Sequence, residues 1–239
     1  MVERFFLRGN TKFEFGDESE AITILSGPPC SGKTSLLFQF AFNSAAKGNA
    51  VVILCHRRTL ETSPPFLSQG VDPSSEIFRR IQIKYVDDDE GIKSYFAAFH
   101  LHPTFPTSII VDNLGHFFVE RNCQEKYNNP RGKELAMIRV LALCRNAISH
   151  ANKSSRCEIV LSDTHKGDTP RLLYIYKRWV SCIYTIKEGV GAGSFVVRKS
   201  YSAALNAKPT SSAKYSISLQ YLVLEGLVHE TGHHTRTIS

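Results

Sequence analysis

Gly27-Pro28-Pro29-Cys30-Ser31-Gly32-Lys33-Thr34 satisfies the pattern G-x-x-x-x-G-K-[ST] at every defined position. Ahead of it, Ala21-Ile22-Thr23-Ile24-Leu25 is an apolar run of strand length, ended by the breaker cluster Ser26–Pro29. Behind it, Lys33 to Lys47 reads as helix, with Gly48 in place for a C-terminal cap. Strand, glycine-containing turn and helix, in that order, are the setting in which such a loop wraps a phosphate chain. Its backbone N–H groups point inward, and the two glycines allow the close approach. Gly27, Pro28, Pro29, Cys30, Ser31, Gly32, Lys33, Thr34 and Ser35 are therefore expected to bind ATP. Lys33 would set its charge on the β and γ oxygens and Thr34 would reach Mg2+, with the positive end of the helix behind them.

Working outward, Ala50–Cys55 is a second strand and Ser75–Arg80 a helical turn before a strand at Ile81–Val86. Asp87-Asp88-Asp89-Glu90 opens a helix running to His100, acidic where the helix dipole favours it. Ser108-Ile109-Ile110-Val111-Asp112 is a buried strand ending in a carboxylate, which makes Asp112 the second Mg2+ residue beside Thr34. Lys133–His150 shows a helical period through Leu135, Ile138, Leu141, Ala142 and Ile148, and Cys157–Ser162 is the next strand. From Leu172 the pattern turns β-rich, through Cys182–Lys187, Ser194–Tyr201 and Tyr215–Glu225. Strands separated by helices, then strands without them, predict an α/β fold: a mostly parallel sheet flanked by helices, with antiparallel strands at the C-terminal end. Residues 1–20 read as a lead-in, 21–228 as one domain and 229–239 as a flexible tail, where His229, His233 and His234 fall.

The 239 residues are 42% hydrophobic and 21% charged, which excludes a disordered or collagen-like chain. No apolar run reaches the ~18–20 residues of a membrane span, and the early charges argue against a secretory signal. Cys30, Cys55, Cys123, Cys144, Cys157 and Cys182 stand at wide, irregular spacings, so reduced, mostly buried thiols are expected rather than a zinc site. Between His165 and Lys214, nine basic residues face only Asp168 and Glu188, an excess equal to the net charge of the whole chain, +7. Such a block suits a polyanion, and equally a solvated basic face.

Several stretches together resemble a known family. The loop Gly32-Lys33-Thr34-Ser35-Leu36-Leu37-Phe38 is followed by His56-Arg57-Arg58-Thr59-Leu60, by Asp72-Pro73 leading to Arg80–Tyr85, by Asp112-Asn113, and by Glu158–Asp163. This arrangement resembles the RecA-type ATPase core of the strand-exchange recombinases and their paralogues. More narrowly, it is similar to the small recombinase-paralogue ATPases that partner a SWIM-type zinc-finger protein in Shu-like complexes. The resemblance implies a RecA-like fold, a nuclear location and work in homologous-recombination DNA repair. It also implies that ATP, single-stranded DNA, a SWIM-type partner and a recombinase are bound.

Active members carry a water-orienting Glu after the second strand. Here that place falls at about His56, with Glu61 the nearest carboxylate, so His56 and Glu61 are the catalytic candidates that the resemblance supplies. His56 could act as a base or stand as a surface group beside Arg57 and Arg58. Ser162, Asp163 and Thr164 are candidates for the polar sensor. By position, the DNA loops would be Val119–Lys133 and Thr164–Arg171, and the second brings His165, Lys166 and Arg171 ahead of Lys177 and Arg178. These alternate with Tyr174, Tyr176 and Trp179, as a stacking platform for single strands would, or as core aromatics would. Phe38-Gln39-Phe40-Ala41 matches the hook that links recombinase subunits, but its place on the loop's own helix argues for core. Three functions stand open: a slow or DNA-stimulated ATPase in a complex, an adaptor in which nucleotide is structural, and, disfavoured by the antiparallel end, a small-molecule kinase.

Overall fold

The computed structural model describes residues 2–7, 21–118, 129–165, 173–191, 193–203, 211–231 and 234–238. A single ten-stranded sheet runs through it in the order β10-β9-β8-β7-β6-β1-β5-β4-β2-β3. The strands are β1 Ile22–Gly27, β2 Val51–Cys55, β3 Ile81–Tyr85, β4 Ser108–Val111, β5 Glu158–Thr164 and β6 Cys182–Glu188. They continue with β7 Ser194–Ser202, β8 Ser211–Ser218, β9 Tyr221–Thr231 and β10 His234–Ile238. β6, β1, β5, β4, β2 and β3 pair in parallel, and β7 to β10 add on antiparallel beyond β6. This is the α/β architecture read from the sequence.

β1, β2 and β4 are buried at every position, which is why they read as unbroken apolar runs. One face is covered by α1 (Lys33–Ala46), through Leu36, Leu37, Phe40, Ala41 and Ala45. The other is covered by α3 (Asp89–Ala97), α4 (Pro130–Ala151) and α5 (Leu173–Trp179). A short α2 (Arg57–Thr62), unforeseen in the sequence, follows β2 with none of its residues buried.

Several local expectations shift. α4 buries Ala136, Met137, Val140, Leu141, Cys144, Ala147 and Ile148; of the period read from the sequence Leu141 and Ile148 are core and Ile138 packs on it, while Leu135 is half exposed. The stretch Leu173–Trp179, taken as the start of a β-rich region, is helix. Tyr215–Glu225 is two strands, not one: Leu219 and Gln220 both take positive φ (49° and 64°) and turn β8 into β9. That is a two-residue hairpin turn without its usual Gly or Asn. β9 and β10 run on through residues read as tail, although of the three tail histidines His233 lies outside the described residues.

The described part of the N-terminal lead-in, residues 2–7, contributes to the core. Val2, Phe5 and Phe6 are buried, with Phe5 against Phe40 and Tyr184, and Phe6 against Tyr215. Asn43 on α1 donates to the carbonyls of Arg4 (3.1 Å) and Phe6 (2.8 Å), and Arg4 pairs with Glu158. Gln39, Phe40 and Ala41 are buried on the same helix, so the possible subunit hook is core here.

Candidate nucleotide-binding site

Strand β1 ends at Gly27, where an added Cβ would stand 2.8 Å from the Ile186 Cβ, so β6 can pass only beside a glycine. Cys30 (φ 59°) and Gly32 (φ 74°) both lie in the left-handed region and bend the loop back toward α1. A Cβ on Gly32 would meet the Ile217 Cδ1 at 2.5 Å. Tyr215 donates to the Ser31 carbonyl (2.6 Å), so β8 buttresses the loop from the antiparallel side. No side chain caps the N-terminus of the 14-residue α1, which leaves its first amides to an anion.

Lys33 is buried and donates to the carbonyls of Pro28 (2.6 Å) and Gly27 (3.2 Å). Burial pushes its ammonium down to about 8, against the pull of Asp112 and Asp163. Thr34 donates to one Asp112 oxygen and Ser162 to the other, each at 2.8 Å. Burial raises the Asp112 carboxyl, and these two hydroxyls oppose that shift. The residues fit a nucleotide with Mg2+: bare helix amides, two glycines where a side chain would collide, and a hydroxyl–carboxylate pair of hard oxygen donors. Among the described residues, no group of three or more His, Cys, Asp or Glu could hold a metal by itself.

A cavity of about 1000 Å3 opens in front of the loop. Pro29 to Ser35 form its floor, Asp112, Asp163, Thr164, His165 and His116 one wall, and Pro64, Pro65, Phe66, Phe195 and Ile217 its apolar sides. Of the catalytic candidates, Glu61 is exposed, faces Arg57 across 3.7 Å and does not line the cavity. His56 does not line it either, but its ring meets that of His116, which does, at 5.7 Å and 90°. His116 was not signalled by the motifs, because it sits in a short 3-10 turn whose direction no local pattern sets, and Thr59, also in the wall, lies on α2, which the sequence did not foresee. Of the sensor candidates, Ser162 holds Asp112 and also accepts from the Asn113 amide (2.7 Å), while Asp163 accepts from Tyr176 (2.5 Å).

On the expected DNA side, Lys166 and Arg171 lie outside the described residues, as do residues 119–128 of the first loop. His165 is buried and bonded to Ser26 (2.7 Å), so it belongs to the cavity wall rather than to a DNA loop. Lys177 and Arg178 are exposed, but on the last turn of α5, where the Lys177 carbonyl accepts from Tyr201 at the far end of β7. They stand near the edge where β1 and β6 begin, away from the loop. Tyr176 is core and Trp179 packs on it, whereas Tyr174 is exposed.

No family model matches the chain. It is 27% identical over 121 residues to ATPase SWSAP1 of Homo sapiens, covering 50% of this chain and 48% of that protein. To ATPase SWSAP1 of Mus musculus it is 25% identical over 177 residues, covering 71% and 60%. The chain thus spans about half of one of these curated relatives (48%) and 60% of the other. In fold it is similar to the RadB recombinase, with a TM-score of 0.55 at 14% identity over 84% of this chain and 89% of that one. Sequence and fold together mark a RecA-like chain that resembles the recombinase-paralogue ATPases, ATPase SWSAP1 among them.

Proposed function

We propose that this protein binds Mg2+–ATP in the loop Gly27–Ser35, hydrolyses it slowly, and uses the bound state to support recombinase filaments on single-stranded DNA in homologous-recombination repair. The observation that supports this best is the chain of contacts Thr34–Asp112–Ser162 beside a buried Lys33. It ties together residues from three neighbouring strand units, those of β1, β5 and β4. Lys33 and the first amides of α1 hold the β and γ oxygens, and Thr34 and Asp112 hold Mg2+. The ion would supply charge neutralisation as the terminal phosphate leaves.

DNA contact is assigned to Lys166 and Arg171 of the loop after β5, supplemented by the exposed Lys177 and Arg178. A SWIM-type zinc-finger protein and a recombinase are the partners, and the nucleus is the compartment. These follow from the resemblance to recombinase-paralogue ATPases rather than from the site itself.

Steady-state ATP hydrolysis with and without single-stranded DNA tests the reading, with Lys33→Ala as the contamination control. Stimulation by DNA that vanishes in the variant is expected. ATP binding without any hydrolysis would favour the adaptor reading. One observation already leans that way: the wall carboxylates Asp112 and Asp163 are both engaged by hydroxyl groups, and Glu61 faces away.

A further inference from the structure

A loop that cradles phosphate works through the direction of its amides. In a planar trans peptide the carbonyl and the N–H point to opposite sides, so fixing one fixes the other. The peptide that joins Ser31 to Gly32 is fixed in this way. Its carbonyl accepts from the Tyr215 hydroxyl of β8 (2.6 Å), and Tyr215 does not line the cavity. The Gly32 N–H is thereby turned away from β8 and toward the hollow of the loop. The next carbonyl, that of Gly32, accepts from the Leu36 amide (2.9 Å) and starts α1. Between these two bonds Gly32 takes φ 74°, with the Ile217 Cδ1 only 2.5 Å from where a Cβ would stand. Tyr215 and Ile217, two residues apart on one face of β8, therefore hold the same peptide unit from one side.

Tyr215 is built into its place with care for that bond. It is fully buried, and burial raises its phenol well above the ordinary value, so the hydroxyl stays a donor. Two rings grip its own: Phe195, at 5.6 Å and 30°, and Phe6, at 5.5 Å and 52°. Phe195 stands directly opposite in the register with β7. On the β9 side the pairing slips between Lys214 and Tyr215, an irregularity of the kind that re-aims a side chain. Phe6 arrives from the N-terminal segment, and its carbonyl accepts from Asn43 of α1 (2.8 Å). One residue of that segment thus holds the helix that leaves the loop and backs the tyrosine that holds the loop itself.

We propose, on the strength of the nucleotide reading above, that Tyr215 is a positioning residue of the nucleotide site: it turns the Ser31–Gly32 peptide so that the Gly32 amide meets the phosphate chain, and Phe6 keeps its ring in place for that bond. Tyr215 touches no phosphate and acts through the peptide. The antiparallel end of the sheet and the segment Val2–Phe6 are then working parts of the site.

The test uses the full chain with Mg2+–ADP and the variants Tyr215→Phe and Phe6→Leu. Only Gly27 and Gly32 follow a serine, so serine labelled with carbon-13 at its carbonyl and glycine labelled with nitrogen-15 pick out these two amides. Ser31→Ala, which removes the labelled carbonyl before Gly32, tells the two signals apart. In wild type, Mg2+–ADP should move the Gly32 amide proton downfield, as a charge-assisted hydrogen bond does. Tyr215→Phe should bind ADP about tenfold more weakly, the effect of one lost hydrogen bond. At saturating ADP it should also lose most of the downfield shift at Gly32. Phe6→Leu should show both changes in weaker form, with affinity down about threefold.

A folded Tyr215→Phe protein that binds ADP within about twofold of wild type overturns the proposal. So does one that binds weakly yet reaches the full wild-type shift at saturation, since a mere loss of stability would give that result. If Tyr215→Phe does not fold, Phe6→Leu carries the same two readings, and a full shift with unchanged affinity there is as decisive against. Wild type that binds ADP without moving the Gly32 amide overturns the proposal and leaves the nucleotide reading intact. Wild type that does not bind ADP takes both away.

Discussion

Lys33 carries an unusual prediction about pH. Its ammonium, held at about 8 by burial in the empty site, would regain a normal or higher pKa once phosphate oxygens surround it. Binding then takes up a proton wherever the empty site has lost one. Through linkage, the dissociation constant scales as one plus ten to the power of the pH minus 8, so between pH 7 and pH 9 affinity should fall about tenfold, or ~1.4 kcal/mol. The sign follows from the empty site: below pH 8 Lys33 is already charged and affinity is flat, and above it each pH unit costs about tenfold until the bound-state value is reached. Titrating a fluorescent ATP analogue at fixed free Mg2+ across pH 7–9.5 measures this directly. Calorimetry in two buffers of different ionisation enthalpy should show proton uptake at pH 9 and almost none at pH 7. A dissociation constant that stays level from pH 7 to 9 would refute the placement of Lys33 in a dry pocket. The same shift has a stability side. The unfolded lysine titrates near 10.5, so folding without nucleotide carries a penalty of up to ~3 kcal/mol below pH 8, relieved as pH rises from 8 to 10.5. Lys33→Met should therefore abolish nucleotide binding and yet raise the unfolding free energy of the empty protein at pH 7 by ~1–2 kcal/mol, the lost bonds to Gly27 and Pro28 offsetting part of the gain.

Other consequences are as concrete. Asp112→Asn removes a buried charge while keeping an acceptor for Thr34 or Ser162; affinity for ATP should drop about tenfold or more with Mg2+ and barely change in EDTA, compared by the same fluorescence titration. Phe5→Ala empties a site between Phe40 and Tyr184 and should cost ~3–5 kcal/mol in urea denaturation, a loss that a dispensable lead-in would not show. Replacing Leu219-Gln220 by Asn-Gly relieves two left-handed non-glycine residues and should raise stability by ~1 kcal/mol, read as a higher urea midpoint at unchanged slope. If Lys177 and Arg178 each neutralise a phosphate, changing both to Ala should reduce the salt slope of single-stranded DNA binding by ~1.4; an unchanged slope removes them from the DNA surface.

Much of the scaffold was legible because continuous burial leaves a plain mark. β1, β2, β4 and β5 are apolar runs of strand length between helices, and the glycine loop stands at the one strand–helix junction with its motif. Asp112 was legible for the same reason: a carboxylate ending a wholly buried strand is conspicuous. The failures share the opposite cause. Leu173-Tyr174-Ile175-Tyr176 has β-prone side chains, yet it is helical because Ile175 and Tyr176 face the core and the Tyr176 hydroxyl reaches Asp163. In α4 the small residues Ala136, Cys144 and Ala147 share the packing with Met137, Val140, Leu141 and Ile148, while Leu135 looks outward, so size alone misleads about the face. The β8–β9 turn uses Leu and Gln where the conformation prefers Asn and Gly, leaving no punctuation to read.

The candidate site divides along the same line. Residues that touch phosphate do so mostly through one contiguous loop, so spacing in the chain reports spacing in space. The residues that would act on water do not. Glu61 is the carboxylate nearest in sequence to the end of β2, but α2 follows β2 at once and turns Glu61 toward Arg57, so proximity in the chain becomes distance from the cavity. His116 reaches that cavity only because Asn113 adopts positive φ and is pinned by Ser162 and Thr164 from the neighbouring strand. Its position is thus a property of the register between β4 and β5, in which Val111 stands opposite Leu161. A change that weakens the pin, Ser162→Ala for instance, should loosen two things at once: the second acceptor contact of Asp112 and the bend that delivers His116. The resulting loss of nucleotide affinity should therefore be larger with Mg2+ than in EDTA. Equal losses in the two conditions would mean that Ser162 does not hold Asp112 in place for the metal.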